Sequence, residues 1–292
     1  MSDIIAAPSV RALARRKGID LERLSRDLGR QTIAREDLLH KDAPLKMDAH
    51  YSYWDIDHSQ FGPVTEKPVS RFSQVSSGNL AAANGMIPQV THHDLANVSA
   101  IEAFRSDLKP EAMARGIKMT ALAFHVKALA AALREFPTFN SSLTPDGKTL
   151  VLKGYVHIGI AVDTEHGLMV PVIRNADTKG LWQIAAEIAD LARRAQTRKI
   201  GPDDMGGGSM TITNLGGIGG TAFTPIVNPP EVAILGLTRT EIRPVWDGDI
   251  FQPVPMLPLD LSYDHRVING AAAARFVTYL AGLIANPFCL IT

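Results

Sequence analysis

Cysteine is almost absent: Cys289 is the one cysteine in 292 residues. That excludes an internal disulfide framework and any multi-cysteine metal site, and it suits a reducing compartment. A net charge is absent as well, because 30 Lys and Arg balance 30 Asp and Glu. The basic excess of a general nucleic-acid binder or of a polybasic membrane protein is therefore missing. Long apolar runs are lacking too. The longest uncharged stretch, 205–230, is broken by Gly206 to Gly208, Gly216, Gly217, Pro225 and Pro229. A lipid-spanning helix takes ~20 mainly apolar residues, so this stretch reads as strand and loop. The apolar segment 276–292 is interrupted by Asn286-Pro287 and reads as a terminal helix and tail docked on protein. The opening MSDIIAAPSV has neither the positive n-region nor the h-region of a signal peptide. The expected setting is the cytoplasm, or the mitochondrial matrix in a eukaryote.

What is present is apolar mass. Hydrophobic residues make up 46% of the chain, and a length of ~150 residues per domain gives about two domains. The division is unequal. Within the first forty residues, Val10, Leu13 and Ala14 recur at helical spacing in VRALARRKG, with Gly18 as a stop. A polar loop comes next, and then IAREDLL, for which Thr32 is a candidate cap. This small all-α unit lies near the lower limit of independent stability. Residues 41–60 read as a linker with scattered prolines. The aromatic stretch at its end, with Tyr51, Tyr53, Trp54 and Phe61, is expected to pack on the larger C-terminal domain.

Residues 61–292 read as one α/β domain with a mixed sheet. SRFSQVSSGNLAAANG, IEAFRSDLKPEAMARG, MTALAFHVKALAAALREF, GLWQIAAEIADLARRAQTRK and NGAAAARFVTYLAGLI have helical periods. The third is apolar enough to be buried. IPQVTHHDLANV, KTLVLKGYVHIGIAVDT, LMVPVIRNA, SMTITNL and the segment from EVAILG to LDLSYD read as strands, with an Asp-Gly hairpin turn in WDGDIFQP.

Two segments carry candidate chemistry. His265 sits where a strand turns into a helix in LDLSYDHRVINGAAAARF, beside Asp264 and Arg266 and just before Asn269-Gly270. A histidine held in such a turn can aim one ring nitrogen at a cleft as a general base, or serve only as a hydrogen-bond node. In GGGSMTITNLGGIGG, Thr211 and Thr213 point to one strand face and Ile212 to the other. A hydroxyl there suits an oxyanion, whereas the glycines fit neither a P-loop nor a GxGxxG opening a helix. The adjacent His92 and His93 face opposite sides of a strand, which suits chelation poorly, and no metal is expected.

Together, DHRVINGAAAARF, SMTITNLGGIGG, PPEVAILG and GIAVDTEHGLMVPVIRNA closely resemble the catalytic domain of the dihydrolipoamide acyltransferases, the E2 components of 2-oxo acid dehydrogenase complexes. The GGIGGTAFTPIVNPPEVAILG block looks most like the pyruvate, or acetyl, branch. The resemblance implies a chloramphenicol-acetyltransferase-like fold, assembled as trimers with the active site at the subunit interface. It implies acyl exchange between S-acyldihydrolipoamide and coenzyme A, with His265 as base and Thr213 as oxyanion donor. Asn269 stands where most relatives have Asp and is expected to be a hydrogen-bond partner, with Arg71 as the other half. Asp264 is expected to orient the turn.

The first forty residues resemble the peripheral subunit-binding domain of the same proteins, through APSVRALARRKGIDLERL. That implies docking of E1 or E3 through Arg11, Arg15 and Arg30, although Thr32 stands where a partner-binding arginine is usual. No lipoyl segment is seen upstream, so the acyl-lipoyl group is expected from another chain or domain. Trimers are expected to build a core of 24 or 60 subunits. Two other readings stay open: a non-catalytic E2-like core or docking subunit assembled with lipoyl-bearing chains, and a basic nucleic-acid-binding head formed by the N-terminal arginines.

Overall fold

The computed structural model describes residues 5–17, 19–28, 31–34, 56–165 and 167–290. The chain divides into two compact units, Met1–Lys67 and Pro68–Thr292.

In the first unit, β1 (Ile5–Ala6) pairs in parallel with β2 (Thr32–Ile33), and between them run α1 (Pro8–Lys17) and α2 (Leu21–Leu28). Val10, Ala14, Leu24 and Ile33 form its small core, with Leu13, Ile19 and Leu21 packed against it. The expected polar loop thus contains a helix. Its start is set by Asp20, whose Oδ1 accepts from the Glu22 and Arg23 amides at 2.8 and 3.3 Å. Thr32, expected as a cap, instead lies in the two-residue bridge that ties the helices. The IAREDLL helix falls outside the described residues from position 35 on, as do Gly18, Arg30, Tyr51, Tyr53 and Trp54. Phe61 ends a 3-10 turn, His58–Phe61.

The second unit opens with α3 (Arg71–Met86), which Ser70 caps by accepting from the Ser73 amide at 3.1 Å. Next in chain order are β3 (Gln89–Asn97), α4 (Ser99–Asp107), α5 (Lys109–Ala114) and α6 (Ala121–Glu135). Then come β4 (Ser141–Leu143), β5 (Leu150–Leu152), β6 (Ile158–Ile160), β7 (Val172–Ile173) and α7 (Leu181–Gln196). The unit finishes with β8 (Met210–Asn214), β9 (Ala233–Leu237), β10 (Glu241–Trp246), β11 (Phe251–Asp264) and α8 (Gly270–Ala285). The helix expected over IEAFRSDLKPEAMARG is two helices. Pro110 lacks the amide that would continue α4 and fits the first turn of α5.

The main sheet has seven strands. β11 is its spine: the first half forms a hairpin with β10, and the second lies between β3 and β9, antiparallel to both. Beyond β9 the sheet turns parallel through β8 to β6, and β7 closes the edge antiparallel. The single long strand expected over 148–164 is broken. Its first part pairs with β4 in a separate two-stranded sheet, and only 158–160 joins the main one. Asn140 fixes the break by donating from Nδ2 to the carbonyls of Lys153 and Tyr155 at 3.0 and 2.7 Å.

Helices α4 to α8 pack on one continuous core, which takes in no residue of α3. Nine of the fifteen residues of α6 are buried, in keeping with its apolar composition, and Phe139 stacks on Phe276 of α8 at 4.1 Å between ring centroids. In α7, Leu181, Ile184 and Leu191 face that core. Among the described residues, no helix is long and apolar enough to cross a membrane.

Of the polar residues in α6, His125 is the buried one. It is fully enclosed and neither ring nitrogen has a hydrogen-bond partner. Burial disfavours the imidazolium and lowers its pKa from 6.5 to about 4. Between those values the unfolded chain binds a proton that the folded chain does not, so stability falls as pH drops through the window. His125 should account for about 2 kcal/mol of stability lost between pH 7 and pH 5. Urea unfolding of the wild type and of His125→Leu at both pH values checks this; the same pH dependence in both proteins would refute it.

Candidate active site

The turn that carries His265 is built from backbone and carboxylate. Asp264 ends β11 with its amide bound to the Val232 carbonyl at 2.8 Å, and the His265 amide binds the Pro88 carbonyl at 3.1 Å. The buried Asp264 carboxylate accepts from the Arg266 amide at 3.0 Å and from its guanidinium at 2.6 to 3.2 Å. The Val267 and Ile268 amides both return to the Asp264 carbonyl at 3.0 Å. Asp264 therefore shapes the turn through Arg266 and does not bond to His265. The His265 ring is exposed, beside Tyr263 at 5.8 Å between centroids, with no hydrogen bond of its own among the described residues.

Asn269 closes the turn. Its Oδ1 accepts from the Ala272 amide at 2.8 Å, capping α8. The expected bond to Arg71 is not found among the described residues. Arg71 is the exposed first residue of α3, and the Asn269 oxygen is taken by the helix it starts.

Strand β8 carries the other half. Thr211 and Thr213 share the face that lines a groove of about 930 Å³. Its walls are the apolar residues of α3, among them Phe72 and Leu80, and the proline-rich segment from Pro225 to Pro230. Close approach on this face depends on two glycines in neighbouring strands. A Cβ on Gly159 would stand 2.6 Å from Thr211 Oγ1, and one on Gly236, the register partner of Thr213, would stand 2.7 Å from the Phe223 ring. The Thr211 hydroxyl donates to Glu231 Oε1 at 3.0 Å, whereas the Thr213 hydroxyl is not engaged in any bond among the described residues. Asp264 and Arg266 line the groove as well, but His265, between them in sequence, does not. A single chain thus presents the two candidate groups on different surfaces.

Sequence reasoning missed two features. Glu231 is buried in the groove wall, and burial raises its carboxyl to about 7 against the pull of Thr211 and Lys153. The available signal was a lone acid within the apolar run PPEVAILG. The second is His93, whose Nδ1 lies 2.6 Å from Oδ1 of the buried Asp260, while the Phe223 amide donates to Oδ2 at 3.2 Å. The pair ties β3 to β11, with His92 on the opposite face. Among the described residues, no group of three or more His, Cys, Asp or Glu could hold a metal ion. In the first unit, Arg11 donates from Nε to the Ala6 carbonyl at 3.2 Å and Arg15 is exposed on α1.

Residues 61–292 match the family described as 2-oxoacid dehydrogenases acyltransferase (catalytic domain). The chain is 48% identical to the dihydrolipoyllysine-residue acetyltransferase component of the pyruvate dehydrogenase complex of Azotobacter vinelandii, over 96% of this chain and 46% of that one. It is 47% identical to the same component of Pseudomonas aeruginosa, over 96% and 54%. The chain spans about half the length of these curated relatives. Among solved structures, the A. vinelandii dihydrolipoamide acetyltransferase superposes with a TM-score of 0.80 at 51% identity, covering 81% of this chain and 98% of that one. The cubic core of a pyruvate dehydrogenase multienzyme complex gives 0.80 at 52% identity, with the same coverage.

The geometry gives Asn269 a test of its own. Asn269→Ala removes the cap of α8 and should cost about 1 kcal/mol, whereas Asn269→Asp keeps the acceptor and should stay within about 0.5 kcal/mol of the wild type. Urea midpoints of the three proteins decide it; equal stability of Asn269→Ala and wild type would exclude the capping role.

Proposed function

The chain belongs to the 2-oxoacid dehydrogenase acyltransferase family, and we propose that it moves an acetyl group between S-acetyldihydrolipoamide and coenzyme A as the E2 core of a pyruvate dehydrogenase complex. The observation that carries the reading is the Thr213 hydroxyl, left unengaged in an apolar groove, together with an exposed, unbonded His265. The solved A. vinelandii relative was studied for the role of a serine, a histidine and an asparagine in its catalytic mechanism. The intervals between those three residues are the ones that separate Thr213, His265 and Asn269 here.

The chemistry rests on the two groups. A thiol of pKa ~8.5 is mostly protonated at neutral pH, and the thiolate is the nucleophile. His265 takes the thiol proton of coenzyme A as the sulfur attacks the thioester carbonyl. The carbonyl oxygen becomes an oxyanion, and the Thr213 hydroxyl donates to it. Collapse of the tetrahedral intermediate breaks the bond to the lipoyl sulfur, and His265 returns the proton to the departing thiolate. Threonine keeps the hydroxyl of a serine and adds a methyl that restricts its rotamer. Asn269 serves this step by holding the helix that fixes the turn, with Asp264 and Arg266 holding its other side.

Because His265 does not line the groove that Thr213 does, the working site joins His265 of one copy to Thr213 of another. A trimer is the smallest closed arrangement we propose, and larger cores of 24 or 60 subunits arise from stacking trimers; a relative of known structure forms a cubic core. The N-terminal unit docks E1 or E3, with Arg11 and Arg15 on its outer surface. The lipoyl group comes from another domain or chain. Both hydroxyl and imidazole are retained in the sequence, which favours catalysis over a purely scaffolding subunit.

His265→Ala should abolish acetyl transfer between dihydrolipoamide and coenzyme A, and substantial residual turnover would remove its role as base. Thr213→Val should lower turnover at least tenfold with oligomer size unchanged in gel filtration. Unaltered turnover would take Thr213 out of the oxyanion site.

A further inference from the structure

One polar group of the groove has no part in the acyl-transfer steps. Glu231, two residues before β9, is 6% exposed. Its Oε1 accepts the Thr211 hydroxyl, while Oε2 has no hydrogen-bond partner among the described residues. Gly208, just before β8, packs so closely that a Cβ there would stand 2.5 Å from Oε1. The carboxyl is thus wedged between the segment entering β8 and Thr211 within it, two residues before Thr213 on the same face.

The surroundings favour the uncharged acid. A buried carboxylate with one oxygen unpaired carries a large desolvation penalty, which the neutral acid avoids. From β8 the carboxyl faces Thr211, from the segment before β9 Asn228, and from the segment after β5 Lys153. Lys153 donates to the Gly208 carbonyl at 2.8 Å. The other charged groups on the groove, Asp264 and Arg266, are spent on each other.

We propose that Glu231 is a positioning residue for acyl transfer: through Thr211 it sets β8 so that Thr213 presents its hydroxyl to the groove, and it works as the neutral acid. This rests on the acyl-transfer reading. An ionised Glu231 would put negative charge beside Thr211, whose place on β8 is about 7 Å from that of the oxyanion donor by the two-residue repeat of a strand. Like charge at that range weakens oxyanion stabilisation, and about tenfold in rate is the expected loss. Burial keeps the acid neutral up to pH about 7. The working form is therefore present below that pH and is lost as pH rises through it.

The test is the pH dependence of kcat in the assembled full-length chain for wild type, E231Q and E231A. Wild-type kcat should fall about tenfold on the alkaline side of pH 7. E231Q, neutral at every pH and still an acceptor for Thr211, should rescue turnover to within about threefold of wild type at pH 6 and lack that fall. E231A should lower kcat about tenfold at pH 6 with KM within about twofold, since it removes the acceptor of Thr211 and acts through that residue. An alkaline fall that persists unchanged in E231Q, or a loss in E231Q as deep as in E231A, overturns the proposal. Infrared difference titration, with E231Q as control, reads the protonated carboxyl without turnover. Glu231 already ionised at pH 6 in an active wild type overturns this proposal alone. A wild type without acyl transfer at any pH overturns the acyl-transfer reading with it.

Discussion

Strand β11 is hydrogen-bonded on both edges over its second half, and the placement of every candidate group depends on that constraint. Its register with β3 and β9 fixes where Asp264 emerges. From there one carboxylate, one carbonyl and one cap lead the chain through the turn into α8. On the other side of β9, the parallel register with β8 sets Thr213 beside Gly236. A slip of one residue at either ladder would turn these side chains to the opposite face. The backbone ladder, more than any side-chain contact, decides where the imidazole and the hydroxyl lie.

The two buried carboxyls at the groove differ in the partners their positions give them. Asp264 has a bidentate guanidinium and a backbone amide, which together satisfy its charge. Glu231 has a hydroxyl on one oxygen and, among the described residues, no hydrogen-bond partner on the other. The same functional group is ion-paired in one place and, a short way along the wall, buried with a carboxyl whose pKa burial raises to about 7. The chain's zero net charge hides this, because the relevant charges are fixed by local partners and not by the total.

Much of the fold was legible. The long helices α6, α7 and α8 declare themselves by period and apolar content, and the Thr-Ile-Thr alternation assigns its faces correctly. What could not be read depends on contacts remote in sequence. The break after β5 is made by the Asn140 amide reaching Lys153 and Tyr155, and nothing in LVLKGYVHIGI marks it. Helix α2 was hidden because its polar residues outnumber its apolar ones, although Asp20 was a usable start signal. At the site, His265, Asp264, Thr213 and Asn269 were visible as motif residues. Glu231 and the His93–Asp260 tie were not, since each is defined by a partner on another strand.

The cap on α8 also bears on how the protein ages. Asn269 precedes Gly270, a dipeptide whose side-chain amide is readily lost when the next backbone nitrogen attacks it. Here the side-chain oxygen is bound to the Ala272 amide and the backbone is extended at φ −89°, ψ 162°. Both hold the amide away from that reaction. Conversion to aspartate would leave an oxygen to accept the same bond, and the added negative charge would sit at the favourable end of the helix dipole. The turn that carries the imidazole is therefore shielded from the chemical lesion its own sequence invites, and tolerant of the aspartate that lesion can leave.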